Sequence, residues 1–265
     1  MSLSSFDLSG KTGFVTGGSR GLGRDFALTL ACAGADVAVS SRKLDSLAEV
    51  LREIEATGHK AIGVELDVTD EVSIRSAVES VESRLGRIDI LVNNAGCNVR
   101  KPATEITWKE WNTVLDTNLR GGFFVAQAVA RGMIARRSGR IINIGSVTSV
   151  AGYAGMGPYG ASRGGVRQLT MSLAADWGPH GVTVNCLAPG WFKTAQNAVM
   201  YEDSTWVTEL CARIPLRRPG KISDLDGPLV FLASDASAYV TGQLLLVDGG
   251  ISVNDIRALP QRPQS

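Results

Sequence analysis

From residue 11 onward, short apolar runs alternate with longer amphipathic stretches. Residues 12–16, 36–41, 61–66, 88–92, 140–144, 182–187 and 243–247 are rich in β-branched and aliphatic side chains. Such runs suit strands covered on both faces. Between the second and third runs, Leu44, Leu47, Leu51 and Ile54 recur at spacings of 3, 4 and 3, which lines one apolar stripe along a helix over 44–56. Residues 22–33 and 72–85 predict two further helices. Strands alternating with helices make a parallel sheet, and right-handed crossovers then make it doubly wound. The predicted fold is α/β: a three-layer, doubly wound parallel sheet of about seven strands with helices on both faces. Residues 1–265 are read as one domain, with no repeat or low-complexity segment. Over about 194–215 the strand character lapses, and a helix or helix pair there would make a small lid, with Met200, Tyr201, Trp206 and Leu210 as candidate lining residues. The polar, proline-containing tail at 258–265 is expected to move freely or to dock on a neighbouring subunit.

Composition narrows the class. Of the 265 residues, 44% are hydrophobic and 20% charged, too apolar for a disordered chain. Lys and Arg number 27 against 26 Asp and Glu, a net charge of +1. That lacks the basic excess of nucleic-acid-binding proteins, so no nucleic-acid partner is expected. No uninterrupted apolar run is long enough to span a bilayer, so no membrane partner is expected either. The start, Met1 to Lys11, lacks the basic-then-apolar pattern of a secretory signal, and the expected location is the cytoplasm. Cys32, Cys97, Cys186 and Cys211 lie far apart without a CxxC pair; they read as free thiols, and no metal site is expected. His59 and His180 are the only histidines and both sit in turns, which leaves a histidine base poorly supplied.

The candidate chemistry begins after the first strand, in Thr16-Gly17-Gly18-Ser19-Arg20-Gly21-Leu22-Gly23. Gly17, Gly21 and Gly23 allow a tight turn and a close backbone approach. The helix that follows offers unpaired N–H groups and a partial positive charge, which suits a pyrophosphate. At the end of the second strand a carboxylate would hold a ribose 2′-hydroxyl, whereas a cation would accept a 2′-phosphate. Here stand Ser41, Arg42 and Lys43, with no acid before Asp45. Arg42 offers a forked contact, Arg20 a second cation and Ser41 a hydroxyl. NADP(H) is therefore expected over NAD(H), the alternative being that Arg42 and Lys43 are merely solvated at a helix start.

With these residues in place, the chain from Ser9 to Gly250 resembles the short-chain dehydrogenase/reductase family. The glycine loop is similar to that family's TGxxxGxG, Leu66-Asp67-Val68 to its adenine-contacting element, and Asn93-Asn94-Ala95-Gly96 to its NNAG motif. Asn118 lies in an NxxG, Ser146 ends the fifth strand, and Tyr159 follows 13 residues later. Pro189-Gly190 through Phe192 to Thr194 resembles the segment beside the nicotinamide, and Asp248-Gly249-Gly250 the closing DGG. The resemblance implies a Rossmann-like fold, NAD(P)-dependent carbonyl/alcohol chemistry, and a homotetramer or homodimer. It implies cofactor contacts from Gly17, Ser19, Arg20, Gly21, Leu22, Gly23, Ser41, Arg42, Asp67, Val68, Asn94, Ala95, Gly96, Tyr159, Arg163, Pro189, Gly190, Phe192 and Thr194. It implies catalysis by Asn118, Ser146, Tyr159 and Arg163.

Reduction of a ketone leaves negative charge on oxygen, which an acid must protonate and a donor must hold. Tyr159 is the candidate acid, or base in the reverse direction, and Ser146 the donor; the resemblance gives Asn118 a part in a proton relay. A free phenol titrates near pH 10, and a neighbouring positive charge brings it down. The sequence departs from the family's YxxxK at this point: Tyr159-Gly160-Ala161-Ser162-Arg163 puts arginine where lysine is usual. Arg163 keeps a cation one turn below the phenol, yet a guanidinium does not give up a proton as an ammonium can. Either arginine serves as a fixed cation in a working enzyme, or the chain is a weakened, NADP-binding assembly protein.

For the substrate, residues 188–194 and 213–218 resemble the gluconate 5-dehydrogenase branch, implying a sugar acid whose carboxylate could meet Lys193 or Arg213, Arg217 and Arg218. A 3-oxoacyl thioester is the alternative and predicts a longer apolar groove. Gly152, Tyr153 and Met156 are expected to form the wall opposite the lid. Trp108 and Trp111 read as helix packing, Asp176 and Asp248 as packing or capping, and Arg136-Arg137 as a solvated helix end. The small and apolar residues of 164–177 are expected to pack on a two-fold copy as well as on their own sheet.

Overall fold

The computed structural model describes residues 3–194 and 198–253. The tail at 258–265 and positions 195–197 of the expected lid lie outside them. Seven parallel strands, β1 (Thr12–Val15), β2 (Asp36–Ser41), β3 (Ala61–Glu65), β4 (Ile90–Asn93), β5 (Gly139–Ile144), β6 (Val182–Pro189) and β7 (Leu244–Val247), lie in the order β3-β2-β1-β4-β5-β6-β7. This is the predicted Rossmann-like doubly wound sheet. Register is set by burial: in β1, Val15 faces one core and Phe14 the other, and β4 repeats this with Ile90 and Val92 against Leu91. A one-residue slip would exchange every one of these faces.

One face is covered by α1 (Gly21–Cys32), α2 (Ala48–Ala56) and α8 (Asp226–Ala233), through Phe26, Leu30, Val50, Ile54, Leu229 and Leu232. The other is covered by α3 (Glu71–Leu85), α5 (Gly122–Arg136) and α6 (Gly157–Trp177), through Val78, Val81, Val129, Met133 and Leu173. Full burial of side chains such as Phe14 and Phe26 stabilises the sheet by about 1.5–3 kcal/mol each. Asp70 caps α3 by accepting from the Val72 and Ser73 amides, and Gly86 at φ +84° ends it. Asp248 accepts from the amides of Gly250 and Ser252, the capping role read from the sequence.

Several local expectations change. The helix expected over 44–56 begins as a 3-10 turn, Leu44–Leu47, because neither Lys43 nor Leu47 supplies a side-chain cap. β7 is only half-buried throughout, since the edge of a sheet has one strand neighbour. Arg136 and Arg137 do more than face water: they donate to the Ile88 and Pro179 carbonyls, and Arg137 adopts φ +55° to end α5. Trp108 is 83% exposed and Trp111 is exposed too. The helix that carries them, α4 (Trp108–Leu115), turns only Val114 into a buried position. No helix among the described residues is long and apolar enough to cross a membrane. The four cysteines are free.

Candidate active site

Strand order reverses between β1 and β4, and a cleft of about 1510 Å³ opens at their carboxyl ends. This is the place where doubly wound sheets bind ligands. The β1–α1 loop forms its floor. Gly17 turns there at φ +67°, and a Cβ at Gly17 would stand 3.0 Å from the Ala95 Cα. Asn94 locks the loop to the β4 end: its Nδ2 donates to the carbonyls of Thr16 (2.9 Å) and Gly17 (3.2 Å). Thr16 Oγ1 accepts from the amides of Asn94 and Ala95. Arg20, at the N-cap of α1, makes no side-chain cap bond. The first-turn amides of Gly21 and Leu22 therefore have no capping oxygen and lie on the cleft wall. Open amides at the positive end of a helix dipole, with no Cβ in the way, fit a pyrophosphate.

The β2 and β3 ends continue the wall with Ser41, Arg42, Asp67 and Val68. Ser41 Oγ lies 2.8 Å from Ser46 Oγ. Hydrogen bonds from the Thr69 hydroxyl and amide, helped by the Arg42 charge, hold the Asp67 carboxyl below its usual range. Ser40 escaped sequence reasoning. It is buried, lines the cleft, and its hydroxyl has no partner among the described residues. Its β-strand pattern marked it as core, and nothing in the pattern tells a core serine from a cleft one.

Ser146 and Tyr159 face the same cleft from the β5 end and the first turn of α6. Pro158 at the start of α6 presets its helical φ. Ser146 is buried, and its Oγ accepts from the Thr148 amide at 3.2 Å. Arg163 is 6% exposed. Its Nη1 donates to the Ile144 carbonyl at 2.6 Å, and its guanidinium carbon stands 5.0 Å from the Tyr159 ring centroid. No carboxylate pairs with it among the described residues. The spacing of one helical turn delivers this stacking directly.

Asn118 is placed differently from every other site candidate. It sits in a π-helical turn, Asp116–Gly121, and is buried behind the cleft wall rather than on it. Its Oδ1 accepts from the Cys97 amide (2.8 Å), and its Nδ2 donates to the Cys97 carbonyl (2.9 Å) and Ser162 Oγ (3.1 Å). Its side chain thus ties the loop after β4 to α6. The remaining sequence candidates, from Gly17 through Asn94, Ala95 and Gly96 to Pro189, Gly190, Phe192 and Thr194, lie along the one cleft.

At the far end Met156, Trp191, Val199 and Met200 line the cleft. There Tyr201 of a 3-10 turn (Ala198–Glu202) and Trp206 of α7 (Ser204–Arg213) join Tyr153 and Trp191 in an aromatic chain: Tyr153 to Trp191 at 5.8 Å, Trp191 to Trp206 at 5.4 Å, and Trp206 to Tyr201 at 5.4 Å between ring centroids. Burial raises the Tyr153 phenol and pushes Tyr201 up to about 12, so both stay neutral apolar surfaces. Tyr153 lines the cleft with Met156, as expected, and also packs in the lid cluster with Trp191, Tyr201 and Trp206, whereas Gly152 does not reach the cleft. Lys193, Arg213, Arg217 and Arg218 do not line the cleft either. Arg218 pairs with Asp224, and Arg217 caps the Ala212 carbonyl at the end of α7. Arg100 does line the cleft, its guanidinium 5.8 Å over Trp191 and in contact with the Met200 sulfur; Lys109 and Arg120 line it as well. Arg100 sits in the loop after Asn94-Ala95-Gly96, where its sequence position alone gives no facing.

The chain is similar to known proteins along nearly its whole length. A family model described as Enoyl-(Acyl carrier protein) reductase matches residues 17–252. Gluconate 5-dehydrogenase of Gluconobacter oxydans is 45% identical over 249 residues, covering 94% of this chain and 97% of that protein. The 5-keto-D-gluconate 5-reductase of Escherichia coli K12 is 39% identical over 248 residues, covering 94% and 98%. The crystal structure of a gluconate 5-dehydrogenase from Burkholderia cenocepacia, in complex with NADP and tartrate, superposes with a TM-score of 0.93 at 42% identity, covering 96% of this chain and 99% of that one.

Proposed function

The chain belongs to the short-chain dehydrogenase/reductase family, and from that membership we propose that it is an NADP(H)-dependent oxidoreductase acting on a sugar acid of the gluconate/5-keto-gluconate kind. The coarse activity, interconversion of a carbonyl and a secondary alcohol with a nicotinamide cofactor, comes with the family. The finer reading rests on one observation: a single cleft with open helix amides and two arginines at one end, and a tyrosine, a serine and Arg100 toward the other.

The residues fit the cofactor. Gly17, Ser19, Gly21, Leu22 and Gly23 would receive its pyrophosphate on backbone amides, Asp67 and Val68 its adenine, and Arg20, Ser41 and Arg42 a 2′-phosphate. When bound, the nicotinamide supplies or accepts a hydride. Tyr159 gives the substrate oxygen its proton in reduction and takes it back in oxidation. Ser146 donates a hydrogen bond to the same oxygen as charge develops there. Arg163 is a fixed cation against the Tyr159 ring and acts through that residue. Arg100 supplies the carboxylate contact first assigned to Lys193 and the 213–218 arginines. Asn118 positions the Cys97 loop and α6. Apolar side chains left exposed on α5 and α6, Phe124 and Met171, favour assembly into a homotetramer or homodimer.

The experiment is NADPH oxidation against a ketone panel that includes 5-keto-gluconate and acetoacetyl thioesters. Turnover of the sugar acid is expected. Turnover of the thioester alone replaces the substrate class. Cofactor binding with no turnover of any member leaves the assembly-protein reading.

A further inference from the structure

Behind the main cleft is a second, much smaller space of about 10 Å³, lined by Asn93, Asn118, Leu119, Asn143, Val166 and Leu169, among others. That is room for about one water among polar neighbours. Ile144 and Arg163 line both spaces. They are joined by the hydrogen bond from Arg163 Nη1 to the Ile144 carbonyl. Tyr159 and Ser146 lie on the cleft side of that pair, and Asn118 on the other.

We propose that Arg163, hydrogen-bonded to Ile144 and stacked on Tyr159, is a wall between the reacting tyrosine and the polar cavity behind it, so that protons reach and leave Tyr159 only through the mouth of the cleft. This rests on Tyr159 being the acid/base. The wall is tightly built. A Cβ on Gly96 would stand 2.7 Å from Arg163 Nη2, so the guanidinium lies flush against the Gly96 backbone. The Arg163 carbonyl is anchored by Ser149 Oγ at 2.9 Å. On the cavity side the amides are committed. Asn93 Nδ2 donates to Gly122 and Asn143, and Asn143 Nδ2 to Thr170 Oγ1 at 3.0 Å. An ammonium in that wall could hand a proton across it and recover one; a guanidinium cannot, because it does not deprotonate in the accessible pH range.

In alcohol oxidation the substrate carbon loses a hydride, with its electron pair, to the oxidised nicotinamide. Its hydroxyl proton passes to the Tyr159 phenolate, and the C=O bond forms. The Tyr159 phenol must then shed that proton to water. With cofactor and product filling the cleft and Arg163 closing the rear, it waits until the cleft opens. Arg163 is thus a positioning residue that also sets the timing of proton release.

The test is stopped-flow oxidation of gluconate, following reduced-nicotinamide absorbance and a pH indicator in weak buffer, with and without viscogen to slow product release. In the wild-type protein proton release is expected to lag nicotinamide reduction by about tenfold in viscogen and to track product release. In Arg163→Lys the two signals are expected to coincide. Proton release that keeps pace with nicotinamide reduction in the wild type, viscogen included, overturns the proposal. Absence of nicotinamide reduction with gluconate counts against the substrate reading instead. The wall is then read without turnover, by NMR of protein labelled with isotopic nitrogen in arginine. Slowly exchanging Arg163 guanidinium hydrogens are expected, and exchange as fast as that of an exposed arginine rejects the wall whether or not the lysine variant folds.

Discussion

Gly23→Ala is expected to destabilise the chain and weaken cofactor binding, although Gly23 lies in α1, where alanine ordinarily gains about 1 kcal/mol over glycine. A Cβ at this position stands 3.0 Å from the Gly17 carbonyl carbon and nearer still to its oxygen and to Asn94 Nδ2. Neither neighbour can swing aside. Gly17 is fixed at φ +67°, and Asn94 Nδ2 is held by the Thr16 and Gly17 carbonyls. Losing both hydrogen bonds costs about 1–3 kcal/mol. Overpacking adds about 1–3 kcal/mol. Against the helix gain, the net loss is about 1–5 kcal/mol. Thermal unfolding without ligand should show Tm lowered by about 2–4 °C for each kcal/mol. Because the displaced loop is the proposed pyrophosphate seat, the NADPH Kd from fluorescence titration should rise by about tenfold for each 1.4 kcal/mol passed to binding. Gly227→Ala in α8 is the control, since its Cβ meets nothing within 4 Å; it should leave stability equal or slightly raised. Gly23→Ala melting at or above wild type with unchanged NADPH affinity refutes the close-approach argument.

Tyr159→Phe should lower turnover by about a hundred- to ten-thousandfold while NADPH still binds; unchanged steady-state turnover removes Tyr159 as the acid/base. Two like charges about 5 Å apart at an effective dielectric of about 20 repel by about 3 kcal/mol, so Ser41→Asp should weaken NADPH binding about a hundredfold and favour NADH; an unaltered NADPH/NADH affinity ratio contradicts the 2′-phosphate assignment. Arg100→Met should cut kcat/KM for a sugar acid by about ten- to a hundredfold through loss of a charged hydrogen bond, and leave an uncharged ketone nearly untouched; equal losses on both substrates would show a structural role. Acid should destabilise the fold in a defined window. The Lys101 hydrogen bond, then those of Thr107, hold Glu110 down from 4.5 to about 2, and Thr69 lowers Asp67. Both folded values lie below the unfolded ones, so their contribution is complete above the ordinary carboxylate range and is lost as pH falls toward about 2. A Tm scan should drop there, and a Lys101→Met variant whose acid-induced drop is as large as the wild type's and still runs down to about 2 contradicts the Glu110 assignment.

The sequence by itself determined the architecture and the phosphate end of the cleft. Strand and helix periods differ, 2 against 3.6, and buried parallel strands are continuous apolar runs, so β2 is read to the residue and the other strands to within two. Gly17, Gly21 and Gly23 were legible because only glycine tolerates that backbone and that closeness. Tyr159 and Arg163 were legible as a pair because i and i+4 share a helix face. What required the tertiary structure is everything decided by facing across long sequence distances. Arg100 turns toward Trp191 while Lys193, Arg213, Arg217 and Arg218 stay off the cleft, a choice made by loop packing and not by residue type. Ser40 is an apolar-strand position that nonetheless lines the cleft. Trp108 keeps its ring in solvent because α4 lies outside the layers that cover the sheet. The sequence put arginine at 163; only the fold put it between Tyr159 and the Asn118 cavity, because the Ile144 carbonyl it bonds arrives from β5, 19 residues away along the chain.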